Sequence, residues 1–319
     1  MDIFLARQYL QCETGGNAMT QKVTNDRLPG IVCWGDSLTA GAGGNGITYP
    51  LALEALLREN IENMVIPVVN MGVGGESSIT IAGRNGAIPY VLSEDLTIPA
   101  DNTPVDIYFT SAGGQKVAPL RQGQAGVNPV IIGGIEGTLS VIQESYVSKE
   151  YFYQFTRAVS GESITIPSGT QITTAANFQY LDYVPVIFIG QNGGYADFGD
   201  LIRQQRAIIN HQTANRDRFI IVGLHTKTYE SRSALEQVMR EEYGEQYINL
   251  REYMSTRAMA DAGLIPTPED IKLMESGATP YSLMVADHCH FNSTAYQLIA
   301  KLIYDTMEKL GYFDDARNA

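Results

Sequence analysis

The chain has 319 residues, a hydrophobic fraction of 44% and a net charge of −13 at neutral pH. That length holds one large α/β domain or two smaller ones, with a substantial core. No Lys/Arg cluster offsets the acidity, which excludes a basic nucleic-acid-binding face, and no apolar run is long enough to cross a bilayer.

The first 28 residues are mostly polar and read as an N-terminal extension with one short helix. Met1 to Leu10 holds a short apolar patch ended by Arg7 and Gln8, shorter than the apolar centre of a secretory signal. The compartment reads as cytoplasmic, or as extracellular or cell-envelope if an export signal lies outside this sequence. The three cysteines, Cys12, Cys33 and Cys289, are scattered and imply no disulfide framework. Cys33 sits in an apolar run and reads as a buried thiol.

Five apolar runs of strand length follow, each ended by turn residues: Ile31–Trp34, Ile66–Asn70, Val184–Ile189, Phe219–Leu224 and Tyr247–Leu250. Short continuous apolar runs suit parallel strands buried on both faces. Helical patterns lie between most of them, at Leu53, Leu56, Leu57 and Ile61, at Leu201, Ile202, Ile208 and Ile209, and at Leu235, Val238 and Met239. The clearest is the last: Tyr296, Ile299, Ala300, Ile303, Tyr304 and Met307 recur at helical spacing, with Asn292 or Ser293 as N-cap and Gly311 as stop. Alternating strands and helices predict a parallel sheet covered on both faces.

Residues 86–176 break this rhythm. Asp106–Thr110, Val130–Ile132, Thr138–Gln143, Tyr151–Thr156 and Ser163–Ile166 read as short antiparallel strands. Gly113-Gly114, Gly133-Gly134 and Pro167-Ser168-Gly169 are the turns between them. The expected organisation is an extension over 1–28, an α/β domain over 29–85 and 177–319, and an inserted β-rich domain over 86–176.

Two motifs carry chemistry. Gly35-Asp36-Ser37-Leu38 directly follows the first strand, and open α/β sheets place their ligands at the carboxyl ends of strands. Asp287-His288-Cys289-His290 precedes the last helix. A serine hydroxyl needs a base, usually a histidine held in the right tautomer by a carboxylate. An Asp three residues before a His folds back in a tight turn to do this, which assigns Ser37 as nucleophile, His290 as base and Asp287 as orienter. Neither His211 nor His225 has an Asp at that spacing.

Together these motifs resemble the GDSL or SGNH hydrolase family. The resemblance adds two positions. Asn70-Met71-Gly72-Val73-Gly74-Gly75-Glu76-Ser77 is similar to the family's glycine block, which makes Gly75 an oxyanion-hole N–H donor alongside the Ser37 N–H. Ile189-Gly190-Gln191-Asn192-Gly193 is similar to its Gly-x-Asn block, which makes the Asn192 amide the other donor. The family commonly has Asp where this chain has Gly193. The resemblance covers residues 29–85 and 180–312. It implies a three-layer α/β/α flavodoxin-like core with a five-stranded parallel sheet, and an esterase of acyl-enzyme mechanism that uses no cofactor or metal.

Some members of that family are carbohydrate or peptidoglycan acetylesterases with β inserts. The lead expectation is therefore a carbohydrate or cell-wall O-acetylesterase acting on a small-molecule or glycan ester. Tyr146, Tyr151, Phe152 and Tyr153 are candidates for stacking on sugar rings, or for the core of the insert. The alternatives are a lipid esterase or thioesterase of the same family, or a non-catalytic carbohydrate-binding protein. Gly41-Ala42-Gly43-Gly44-Asn45-Gly46 matches a dinucleotide fingerprint, but it does not sit directly between strand and helix. The cluster Asp287 to His290 is too tight for ordinary zinc-ligand spacing. The residues define no oligomeric state.

Overall fold

The computed structural model describes residues 29–61, 64–143, 151–212 and 217–317. The extension over 1–28 with its short helix, Cys12 and Tyr146 lie outside them.

The chain opens with β1 (Ile31–Gly35), a short α1 (Ser37–Ala40), α2 (Tyr49–Asn60), β2 (Val68–Gly72) and α3 (Ser78–Asn85). Short strands follow: β3 (Tyr90–Leu92), β4 (Leu96–Ile98), β5 (Val105–Ile107), β6 (Phe109–Ser111), β7 (Val130–Ile132), β8 (Ile135–Gln143), β9 (Tyr151–Arg157), β10 (Ile164–Ile166) and β11 (Gln171–Thr174). Then come β12 (Val184–Phe188), α4 (Phe198–His211), β13 (Ile220–Val222), α5 (Tyr229–Tyr243), β14 (Tyr247–Ile248), α6 (Leu250–Thr256), α7 (Ala258–Asp261), α8 (Pro268–Glu275), α9 (Ser293–Lys309) and α10 (Asp314–Arg317). No helix among the described residues is long and apolar enough to cross a membrane.

The expected five-stranded parallel sheet is present, in the order β14-β13-β12-β1-β2. β1 and β12 are buried along their whole length, because helices cover both faces. Successive strand residues point to opposite faces. Ile31, Cys33, Val184, Val186 and Phe188 accordingly pack with α2 and α9 through Leu53, Leu57, Ile299 and Ile303. Val32, Trp34 and Ile187 pack with α3, α4 and α5 through Ile81, Leu201, Ile208 and Leu235. Cys33 is fully buried.

Several boundaries differ from the sequence reading. The second strand runs over Val68–Gly72, two residues later than expected, because Pro67 has no N–H to give the ladder. The fifth ends at Ile248 rather than Leu250, because Asn249 caps α6 by accepting from the Glu252 N–H at 3.2 Å. The stretch read as one strand over Asp106–Thr110 is two strands with different partners, β5 on β9 and β6 on β3.

A second, antiparallel sheet has the order β5-β9-β8-β7-β11-β3-β6, and β4 pairs separately with β10. Its two edge strands, β5 and β6, are separated in the chain by Tyr108 alone. A sheet whose opposite edges are joined by one residue must curl back on itself, which makes it barrel-like. Its own apolar core contains Ile98, Ile107, Val130, Ile132, Leu139, Phe155 and Ile172.

The last helix starts where the pattern predicts. Asn292 accepts from the Ala295 N–H at 3.1 Å, and its own amide donates to the Ser282 carbonyl at 2.8 Å. Asn292→Ala removes both bonds. It is expected to lower unfolding free energy by about 1–2 kcal/mol, the upper half of the range for N-cap loss, in a urea titration.

Candidate active site

The carboxyl edge of the parallel sheet gathers the motifs. β1 ends at Gly35, and Asp36 turns the chain into α1 by accepting from the Leu38 N–H at 3.0 Å. The N-cap of this helix is therefore Asp36, not Ser37, which leaves the Ser37 hydroxyl outside the capping role that serines often fill. The Ser37 N–H has no acceptor among the described residues.

The Asp287–His290 segment folds as the spacing predicts. Asp287 Oδ1 accepts from the N–H groups of Cys289 and His290, both at 2.9 Å, and the Val285 N–H donates to the His290 carbonyl. Asp287 Oδ2 lies 2.6 Å from His290 Nδ1, and His290 Nε2 lies 2.8 Å from Ser37 Oγ. Partial burial opposes ionisation of Asp287. The bonds from the His290 ring and from the two N–H groups outweigh it and hold the carboxyl down at about 2. An ionised carboxylate only accepts, so Nδ1 carries the imidazole proton and the Nε2 lone pair faces Ser37. His288, in left-handed backbone at φ +52°, instead lays its ring on Tyr281, 3.7 Å between centroids. The glycine-rich stretch 41–46 adjoins this turn, and Tyr296 of α9 donates to the Ala42 carbonyl at 2.7 Å.

Gly75 follows β2 with φ +75°, a conformation that disfavours any side chain. Its N–H, like that of Ser37, has no acceptor among the described residues. Asn192 follows β12. Its amide nitrogen donates to Asp36 Oδ2 at 3.2 Å and to the Glu76 carbonyl at 3.1 Å. The expected donor is thus drawn into the junction between the Asp36 and Glu76 loops by two bonds at the long end of the range. Gly193 sits at φ +70°, and its carbonyl accepts from both the N–H and the hydroxyl of Ser78, at 2.9 and 3.0 Å. That pair pins the Asn192 turn to the start of α3.

Sequence reasoning missed three residues here. Glu76 and Arg84 form a fully buried ion pair at 2.8 Å beneath the glycine block. Arg84 also donates to the carbonyls of Met71 and Ala125. Arg121, from the loop between β6 and β7, donates to the Gly75 carbonyl at 2.7 Å. A charged residue inside the apolar run Ile79–Asn85 was a readable hint of the first pair. Arg121 has no local signal.

Asp36 is the electrostatic exception. Burial raises its carboxyl from 3.8 to about 7, against the opposing pull of the Leu38 N–H and of His290. The folded protein therefore holds this proton more tightly than the unfolded chain, and ionising Asp36 costs stability as pH rises from about 4 to about 7. Asp36→Asn keeps a capping oxygen and cannot ionise, and the bond it loses from the Asn192 amide is a constant offset that does not vary with pH. Relative to the parent protein it should gain stability across that window, at up to about 1.4 kcal/mol per pH unit, and level off above it. Chemical denaturation at a series of pH values measures this. A difference that stays flat with pH contradicts the raised carboxyl.

Searches of the chain against protein-family models, curated proteins and solved structures found no match.

Proposed function

We propose that the protein is a serine ester hydrolase working through an acyl-enzyme. The observation that carries this reading is the unbroken chain from Ser37 Oγ to His290 Nε2 at 2.8 Å and from His290 Nδ1 to Asp287 Oδ2 at 2.6 Å. Support comes from the sheet. Numbered among themselves, the parallel strands lie in the order 2-1-3-4-5, which supports a flavodoxin-like core. Ser37, Gly75 and Asn192 follow its first three strands, as in the GDSL or SGNH hydrolases that these motifs resemble.

In this mechanism Ser37 Oγ attacks the ester carbonyl carbon and its proton passes to His290 Nε2. The carbonyl π pair moves onto oxygen, which meets the N–H groups of Ser37 and Gly75. Asn192 joins them by exchanging one of its two long bonds for the oxyanion. Each such donor is worth about 2.7–4 kcal/mol in the transition state. The oxyanion collapses, the bond to the alcohol oxygen breaks, and His290 gives that oxygen its proton. Water then attacks the acyl carbon while His290 takes its proton. The second collapse breaks the acyl–Oγ bond, returns the proton to Ser37 and releases the acid. Ser37→Ala should fold normally and lose kcat by about 10³-fold or more on an acyl ester. Near-normal turnover in that variant, or failure of a serine-directed organophosphonate to label Ser37 in the parent protein, rejects the hydrolase reading and favours a non-catalytic binding protein.

For the substrate, we favour an acetyl ester on a carbohydrate or cell-wall glycan. Among the aromatics singled out above, Tyr153 is buried in the barrel core and Tyr151 is bonded to Arg121, whereas Phe152 is exposed. Phe152 and Tyr108 line a cavity of about 260 Å³ with Asp106, Ile142 and Tyr153, a site built by the antiparallel part of the chain and sharing no residue with the Ser37 site. Aromatic rings beside a carboxylate suit the apolar faces and hydroxyls of a sugar. Hydrolysis rates on matched acetyl and octanoyl esters decide the acyl group. Acetyl should be preferred by at least about tenfold, roughly what one or two methylenes are worth in a fitted pocket, and a preference for octanoyl points to a lipid esterase or thioesterase.

A further inference from the structure

We infer that Arg121 is a positioning residue for the oxyanion hole, supplied by the antiparallel part of the chain to the parallel-sheet site; this rests on Ser37 being the nucleophile. Its guanidinium donates from Nη1 to the Gly75 carbonyl at 2.7 Å and from Nε to the Tyr151 hydroxyl at 2.9 Å. It also packs against the Gly75 Cα, where a Cβ would lie 3.3 Å from Cζ. Gly75 is thus held at its carbonyl and on its open face, in a left-handed conformation that glycine otherwise leaves freely. The next carbonyl along, that of Glu76, receives Asn192. One planar group thereby fixes the residue that donates one oxyanion bond, a single residue before the carbonyl that receives Asn192.

The surrounding loop is built to deliver this side chain. Leu120, immediately before Arg121, has φ +63°, a strained conformation for leucine. The strain is held in place by the Tyr153 hydroxyl, which donates to the Pro119 carbonyl at 2.9 Å, and by the Ala118 N–H, which donates to Thr80 Oγ1 at 3.1 Å. Arg84 holds the far side of the loop at the Ala125 carbonyl. Lysine does not substitute, because a single ammonium lacks the planar fork that spans the Gly75 carbonyl and the Tyr151 hydroxyl.

The test is steady-state hydrolysis of an acetyl ester by Arg121→Ala, Arg121→Lys and Tyr151→Phe, with thermal unfolding of each. Arg121→Ala should lose kcat by about tenfold or more, short of the ~10²–10³ for deleting a direct oxyanion donor, with KM changed less than about twofold. Added guanidinium ion should restore part of that kcat, a rescue that a merely structural role would not show. Arg121→Lys should fall below the parent, and Tyr151→Phe should lose less than either. Should the alanine variant fail to fold, the lysine variant carries the comparison. Unchanged kcat in the folded Arg121 variants, a loss confined to KM, or no rescue by guanidinium overturns the assignment of Arg121 alone, provided Ser37→Ala is inactive. Full activity in Ser37→Ala overturns both this inference and the hydrolase reading.

Discussion

Glu76 and Arg84 meet where no water reaches either side chain. A buried charge is costly unless its partner and its remaining hydrogen-bonding capacity are supplied by the protein, and Glu76 Oε1 has no partner among the described residues, which leaves Arg84 to carry the pair. Arg84 meets that condition by donating to Glu76 Oε2 from Nε and Nη2, to the Met71 carbonyl at the end of β2, and to the Ala125 carbonyl beyond β6. Its guanidinium also lies 5.4 Å from the ring centroid of Trp34 in β1. The two sheets and the glycine block are therefore joined at one desolvated point. Removing either charge leaves the other buried without a partner, a loss of about 3–5 kcal/mol in comparable pairs.

From that point the geometry of the site follows outward. The ion pair fixes Glu76, and the Glu76 carbonyl then receives Asn192. Asn192 in turn reaches Asp36, whose other oxygen caps the helix that begins at Ser37. Three loops that follow three different strands are thus linked through single hydrogen bonds from the Asn192 amide to the neighbours of Ser37 and Gly75, not to Ser37 or Gly75 themselves. Such a frame leaves the N–H groups of Ser37 and Gly75 unspent, which is the condition for a preorganised oxyanion site.

What the sequence disclosed depended on how local each feature is. β1, β12 and α9 were legible because their burial is uniform or strictly periodic. β3, β4 and β11 were not, since three or four residues are too few to carry a period. Asp106–Thr110 read as one strand because partner exchange at Tyr108 leaves the composition unchanged. Asp287 and His290 were readable because a three-residue turn closes the contact between them. Ser37 stood out through its place after a buried strand. Gly75 and Asn192 needed a family pattern. Arg121 meets Gly75 across 46 residues of chain, and nothing in either neighbourhood announces the contact.

The end of β13 supplies the last constraint on the proposed chemistry. His225 is fully buried with its ring 4.2 Å from that of Phe291, the residue after the base, and Thr226 Oγ1 accepts from Gln191, the residue before Asn192. One short segment thus backs both the base turn and the Asn192 turn. Burial lowers the His225 imidazole to about 3, so it stays neutral at physiological pH. That neutrality matters because in the proposed mechanism His290 becomes an imidazolium when it takes the serine proton, and a second cation behind it would oppose that step. Asp287, held at about 2, is ionised at the same pH. The base turn is therefore flanked by a permanent negative charge and a silenced positive one, an asymmetry that favours transient charge on His290 alone.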